Sequence, residues 1–252
     1  MLAGYYTIAS GMLTNQRQID VIGNNLVNFE TPGYKAERLL TDTFEEELLR
    51  RQEGYNSAVL GDGTGSVINY TTDTETIFTM GNIKATDRTG DVAIGGAGFF
   101  NIQSPTGQNY LTRNGAFTID SEGYLQLQGY GRVQGMNGPI NVGNNFDYNV
   151  TPDGQVTASD GTALGKFLIT VPLENSTMER LDNGMFQVTA GGVQSADGNY
   201  SLVDKSLESS NIDMNEEMTA LIQAQRAFQS CSSALQIIDN MNTKAATKIA
   251  AV

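Results

Sequence analysis

The two ends of this chain share a pattern that its middle lacks. Over residues 1–30 apolar side chains recur at Tyr5, Ile8, Met12, Ile19, Ile22, Leu26 and Phe29, in steps of three and four, with Asn15 in the one slot the series skips. Over residues 211–252 the same spacing returns at Leu221, Ala224, Phe228, Cys231, Leu235, Ile238, Ala245, Ile249 and Val252, with Asn242 in one seam position. A mean step of 3.5 belongs to helices that bury a narrow seam against another helix. Residues 1–30 contain no proline, and residues 211–252 neither proline nor glycine, so nothing in the backbone stops either helix. Ser210, Asn211 and Asp213 offer caps, with Glu216 three residues after Asp213. Asn15 and Asn242 have two readings: each fixes register at a cost in stability, or each is exposed where the heptad frame is imperfect.

All of the 28 glycines except Gly4, Gly11 and Gly23 lie within residues 33–198. Turn dipeptides recur there at Asn114-Gly115, Asn137-Gly138, Asp153-Gly154, Asp160-Gly161, Asn183-Gly184 and Asp197-Gly198. Short β-prone runs separate them, at residues 99–102, 116–119 and 166–171. Such turns between short runs predict an antiparallel β domain. Thr31-Pro32-Gly33 stops the first helix. A second short helix is expected over 39–51, and the Gly-, Ser-, Thr- and Asn-rich stretch 54–76 reads as extended or flexible.

The fold class expected is α+β: paired, coiled-coil-like N- and C-terminal helices with an inserted all-β, antiparallel domain. The divisions are 1–30 and 211–252 for the helices, 31–80 for a connecting segment with a hinge, and 81–210 for the β domain. A helix of about 30 residues with a narrow stripe cannot bury that stripe alone. Either the two ends cover each other, leaving outer faces with Leu2, Leu13, Met218, Ile222, Ile237 and Met241 for helices of other copies, or both pack on the β domain in a closed monomer.

Composition removes several function classes. Lys and Arg total 15 against 28 Asp and Glu, a net charge of -13, which opposes nucleic-acid binding. The chain has no histidine, so Ser-His-Asp and Cys-His constellations are absent, and Cys231, the single cysteine, cannot form an intrachain disulfide. The acidic stretches 42–47 and 213–217 lack the alternation of a calcium loop and read as solvated or dipole-favouring helix faces. Gly61-Asp62-Gly63-Thr64-Gly65 and Gly95-Gly96-Ala97-Gly98 lack the lysine-serine pair of a phosphate loop and read as turns. No catalytic residue, cofactor or metal is expected. No apolar run approaches the about 20 residues of a membrane span, and the first residues lack a basic leader and apolar core, so no ordinary signal peptide is expected.

Residues 24–35 read NNLVNFETPGYK. This resembles the N-terminal signature of the bacterial flagellar rod and hook proteins, typically NNLANVNTPGYK. Asn24, Asn25, Leu26, Asn28, Thr31, Pro32, Gly33, Tyr34 and Lys35 agree; Phe29 and Glu30 depart. Three further blocks resemble the same family in the same order: Asp91-Val92-Ala93-Ile94 with Gly98-Phe99-Phe100; residues 110–117 (YLTRNGAF) with Asp120, Gly123 and Leu125; and residues 209–213 (SSNID) with Glu217-Met218, Leu221-Ile222 and Gln225-Arg226-Ala227-Phe228. The resemblance implies terminal helices forming the inner tube of an axial structure and a β domain forming its outer layer. It implies copies of the chain and other axial proteins as partners. It also implies unfolded passage through the flagellar type III export apparatus without a cleaved leader, and residence in the flagellar basal body. The five residues from Thr31 to Lys35 would then be a hinge. The short β region favours a rod subunit over a hook protein. The segments at 138–140 and 183–186 resemble the proximal rod type and the C-terminal block the distal type, so both stay open. A short hook subunit is one alternative, and a secreted β-rich protein acting on the cell wall or as an adhesin is the alternative from another class.

Overall fold

A computed structural model of the chain describes residues 2–43, 69–143, 148–181, 184–196, 198 and 200–249. The chain divides into two compact units: Met1–Val27, Ala36–Ile77 and Ile212–Val252 make one, and Asn28–Lys35 with Phe78–Asn211 make the other. Of the connecting segment expected over 31–80, residues 31–35 and 78–80 go with the β unit and Ala36–Ile77 with the helices.

The helical unit holds α1 (Leu2–Val27) and α2 (Met214–Ile249). Asp213 caps α2: its Oδ1 accepts from the amides of Asn215 and Glu216 at 2.9 and 3.4 Å, and its carbonyl from Glu217 N at 3.0 Å. The two helices pack along each other in opposite directions, since Asn25 meets Glu217 and Asn15 meets Cys231. Against α1 lies a hairpin-like pair, β1 (Glu37–Thr43) and β2 (Asn69–Thr76). The helix expected over 39–51 is therefore corrected: residues 39–43 are strand, and the remainder lies outside the described residues. The reason is pairing at a distance. The backbone of β1 finds its hydrogen-bond partners on β2, and Arg38 stands opposite Glu75 in the ladder, which a local helical pattern cannot anticipate. Residues 69–76, within the stretch read as extended or flexible, are strand; residues 54–68 lie outside the described residues.

The β unit contains the remaining strands. Its main sheet includes β5 (Phe99–Gln103), β6 (Asn109–Thr112), β7 (Phe117–Ile119), β8 (Leu125–Leu127), β9 (Gly131–Gly135), β14 (Ile169–Pro172), β15 (Thr177–Arg180) and β16 (Phe186–Ala190). The order runs β15-β16-β6-β5-β9-β8-β7, with β14 joined to β5 and antiparallel ladders between neighbours. Two further pairs close the unit: β4 (Val92–Gly96) with β18 (Tyr200–Asp204), and β3 (Ile83–Ala85) with β19 (Ser206–Glu208). Val92, Ile94, Phe100, Ile102, Phe117, Leu125, Val133, Phe167 and Ile169 form the core. Within it the rings of Phe100, Phe117 and Phe167 meet at centroid distances of 5.0, 5.6 and 5.9 Å.

Most of the described turn dipeptides turn the chain: Gly154 N bonds Thr151 O and Gly161 N bonds Ala158 O, both at 2.9 Å. Asn114-Gly115 differs. It carries the chain from β6 to β7, which are not neighbours. A Cβ on Gly115 would lie 1.7 Å from the Val92 carbonyl oxygen, so glycine serves there to let two backbones touch. Residues 183 and 197 lie outside the described set. Gly95 and Gly96, expected in a turn, instead end β4 opposite Ser201 and Tyr200 because their backbones pair with β18, and only Ala97-Gly98 link β4 to β5.

Candidate assembly site

The helix seam is graded along its length. Ile22 and Ala224, toward the end where Asn25 meets Glu217, are buried; Ile8, Met12, Ile19, Leu26, Leu221, Phe228, Cys231, Leu235 and Ile238 are half-buried; Tyr5 is exposed. Gly11 and Cys231 face one another, a Cβ on Gly11 falling 3.8 Å from the Cys231 sulfur. The two seam asparagines part company. Asn15 is half-buried with its Nδ2 3.9 Å from Cys231 Sγ, whereas Asn242 is exposed. Past Ile238 the expected seam ends, for Ala245 is exposed, and the side chains of Ile249 and Val252 lie outside the described ones. Phe29 falls beyond the last residue of α1 and belongs to the β unit, because the turn at Asn28 has already left the helix.

The outward sides of both helices carry large apolar groups. Leu13, Met218, Ile222, Ile237 and Met241 are exposed as expected from the pattern, and Val27 is 82 % exposed.

The signature motif performs two separate jobs. Asn25, nearly fully buried, belongs to the helical unit. Its Nδ2 donates to Glu37 O at 2.9 Å and to Glu217 Oε1 at 3.1 Å, and its Oδ1 accepts from Glu37 N at 3.0 Å. One amide thus ties α1 to β1 and to α2. Burial pushes the Glu217 carboxyl above the usual carboxylate range, and the Asn25 bond pulls it part of the way back. Asn24 is exposed and Asn28 half-buried, its carbonyl accepting from Thr31 N at 3.1 Å.

The rest of the motif belongs to the β unit. Tyr34 N donates to Thr31 O at 3.3 Å, closing a turn over half-buried Pro32. Gly33 sits at φ 69°, where a Cβ would lie 2.3 Å from the Arg113 carbonyl carbon, so two independent constraints require glycine. Its amide donates to Glu208 O at 2.8 Å. The buried Tyr34 ring lies under the Arg180 guanidinium, 4.3 Å from ring centroid to Cζ.

Lys35 is 2 % exposed, and its ammonium reaches Glu208 Oε1 at 2.5 Å and the Thr79 carbonyl at 2.9 Å. Glu208, itself buried, also accepts from Gly81 N at 2.9 Å and from Arg113 Nη1 at 3.2 Å. Arg113 extends the cluster to the carbonyls of Ile94 and Gly96 at 3.4 and 2.8 Å. Two cations thus share one carboxylate, with carbonyl dipoles taking up the remaining positive charge. Burial lowers the Lys35 pKa from its usual value, and Glu208 opposes that shift. Sequence reasoning marked Lys35 as motif but missed Glu208 altogether. Glu208 carries no local sequence signal, because its partners Lys35, Gly81 and Arg113 all lie far from it along the chain.

Among the described residues no group of three or more His, Cys, Asp or Glu side chains could hold a metal ion, and no helix is long and apolar enough to cross a membrane. The acidic run 213–217 begins α2, while Asp42 lies on β1 rather than on a helix and residues 44–47 lie outside the described set. What remains is a helix pair with apolar outer faces and a self-contained β insertion, the architecture of a subunit made to assemble. Three family models match in order: the Flagella basal body rod protein model over residues 6–35, the Flagellar hook protein FlgE/F/G D1 domain over 93–179, and the Flagellar basal body rod FlgEFG protein C-terminal over 203–248. The chain is 30 % identical to the Flagellar basal-body rod protein FlgG of Buchnera aphidicola, with 97 % of this chain and 98 % of the relative covered. It is 33 % identical to that of Agrobacterium fabrum, covering 92 % and 94 %. It is 27 % identical to the Flagellar basal-body rod protein FlgF of Caulobacter vibrioides, covering 93 % and 91 %. The chain belongs to the flagellar basal-body rod and hook protein family, and is a structural subunit of the flagellar rod.

Proposed function

We propose that the helical unit polymerises, its outer apolar faces packing on the helical units of neighbouring copies and of other axial proteins to build a stiff tube that transmits torque. The observation that carries this reading is the set of exposed apolar side chains on both helices, Leu13, Met218, Ile222, Ile237 and Met241. Their burial would drive assembly at roughly 25 cal/mol per Å² of apolar surface removed from water, less the cost of ordering the helices.

The chain acts as a structural element and not as an enzyme, a reading supported by its similarity to flagellar rod proteins. It reaches the basal body through the flagellar type III export apparatus. A chain that needs no disulfide to hold its fold is suited to passage in an unfolded state. The residues from Thr31 to Lys35 act as a hinge between helical tube and β layer, a role supported by the change of unit on either side of them.

Sedimentation and electron microscopy of the concentrated full chain test the assembly reading. Ordered polymer is expected, and it is lost in Leu26→Asp; a wild-type chain that stays monomeric at high concentration overturns it. Secretion is expected to stop in cells lacking the export apparatus.

A further inference from the structure

The two ends of the helical unit differ in charge, and each carries apolar groups that its own chain leaves uncovered. At one end α2 begins with Asp213, Glu216 and Glu217, and no Lys or Arg occurs on it before Arg226. The last turn of α1, which ends beside them, holds no basic residue. Around these carboxylates Val27, Met214 and Met218 are exposed, at 82 %, 42 % and 48 %. At the other end the sequence carries Lys244 and Lys248 and no acidic residue after Asp239. There Ile237 and Met241 are exposed at 59 % and 60 %, and every side chain from Asp239 to Ala245 is exposed. With 36 residues in α2 and 26 in α1, at about 1.5 Å per residue, α1 cannot cover its partner along its whole length.

We propose that the basic last turns of α2 in one copy dock head to tail on the acidic end of the helical unit in the next copy. The contact rests on the assembly reading above and names its polar component. Its occupant is a second copy of this chain, identified by charge: a subunit of net charge -13 repels its own kind unless its scarce cations face carboxylates. Acid at a helix start and base at its end also suit the helix dipole, with no partner needed. The dipole, however, gives no reason for Val27, Met214 and Met218 at one end, or Ile237 and Met241 at the other, to stand in water. A head-to-tail contact covers both sets at once.

Glu216 and Lys244 are the test positions, because both are exposed and Glu216 makes no side-chain contact needed by the Asn25 clamp. The full chain is prepared as Glu216→Lys and, separately, as Lys244→Glu, and the lowest concentration giving polymer is read by sedimentation at low salt. Each variant alone is expected to raise that threshold about 5-fold, the scale of an exposed ion pair lost or reversed. An equimolar mixture restores the wild-type threshold, since every second junction is wild type and the others are the charge-swapped pair. Weakening of a helix within its own chain cannot be repaired by mixing. If the mixture polymerises no better than its components, or if neither variant shifts the threshold while the wild type polymerises, the head-to-tail contact is wrong and the assembly reading stands. A wild type that never polymerises removes both.

Discussion

In the β unit Phe100, Phe117 and Phe167 are sealed from water, whereas among the described residues of α1 and α2 the buried hydrophobic side chains are Ile22 and Ala224 alone. The charged groups follow the same division. Lys35, Arg113 and Glu208 pair with one another and with carbonyls inside the β unit, while most carboxylates and cations of the helices face solvent. A unit with its own sealed aromatic core is complete as a monomer, although Phe78, Met80, Met136 and Leu173 on its surface stay exposed. A pair of helices with a half-buried seam and apolar outer faces is not. On the proposed assembly, the β unit is stabilised by its own core and the helical unit by its neighbours.

The sharpest way to break this contrast is Phe228→Asp, which puts a carboxylate into the seam. Motility and polymer are expected to be lost outright, while hydrogen exchange in the strands of the β unit stays at its wild-type rate. Exchange that quickens equally in both units would show that they do not stand on separate footings. The mirror experiment is Glu208→Ala. It leaves two buried cations without their carboxylate and should cost the β unit about 3–5 kcal/mol, the scale of a buried pair broken on one side. Protection should fall in β4 and β5 and persist in α2. Lys35→Met should cost less, since Glu208 keeps Arg113 and the Gly81 amide.

The legibility of the two units in the sequence also differs. The helices declare themselves locally, because a 3.5-residue repeat without proline fits little else, and α2 runs uninterrupted from the Asp213 cap as that repeat requires. The β unit shows its turns and its β-prone runs but not its pairing. Nothing near Phe99 indicates that β5 would sit between β6 and β9 and also meet β14, since those contacts join residues far apart in sequence. The same distance hid β1, whose partner begins at Asn69. The motif was recognisable as a string of letters, yet its division of labour was not: Asn25 serves Glu217, and Lys35 serves Glu208, partners more than 170 residues away.

Smaller effects sharpen the comparison within the helical unit. Asn25→Ala removes three hydrogen bonds at one buried amide and leaves the Glu37 amide and carbonyl without that partner. A loss of about 1–3 kcal/mol is expected in urea unfolding, confined to the helices and β1. An unchanged midpoint would mean that water replaces the amide at no cost.

The smallest expected change has the opposite sign. The Glu217 carboxyl is held above its ordinary value of 4.5 by burial first, with Glu216 adding like-charge repulsion. A raised folded-state pKa means that the fold prefers the protonated acid. That preference contributes stability below the unfolded pKa, and the contribution is lost as pH rises through the folded value. At neutral pH the wild type therefore carries a disfavoured carboxylate. Glu217→Gln keeps an acceptor for Asn25 Nδ2 without the charge, so it should unfold at slightly higher urea than the wild type at pH 7. The gap should close toward pH 4, where the wild-type acid is itself neutral in the fold. A gap equal at both pH values would assign the gain to packing instead of charge. A variant less stable at pH 7 would show that the Asn25 bond needs a carboxylate, and that this end of the helix pair is held more tightly than its exposed methionines suggest.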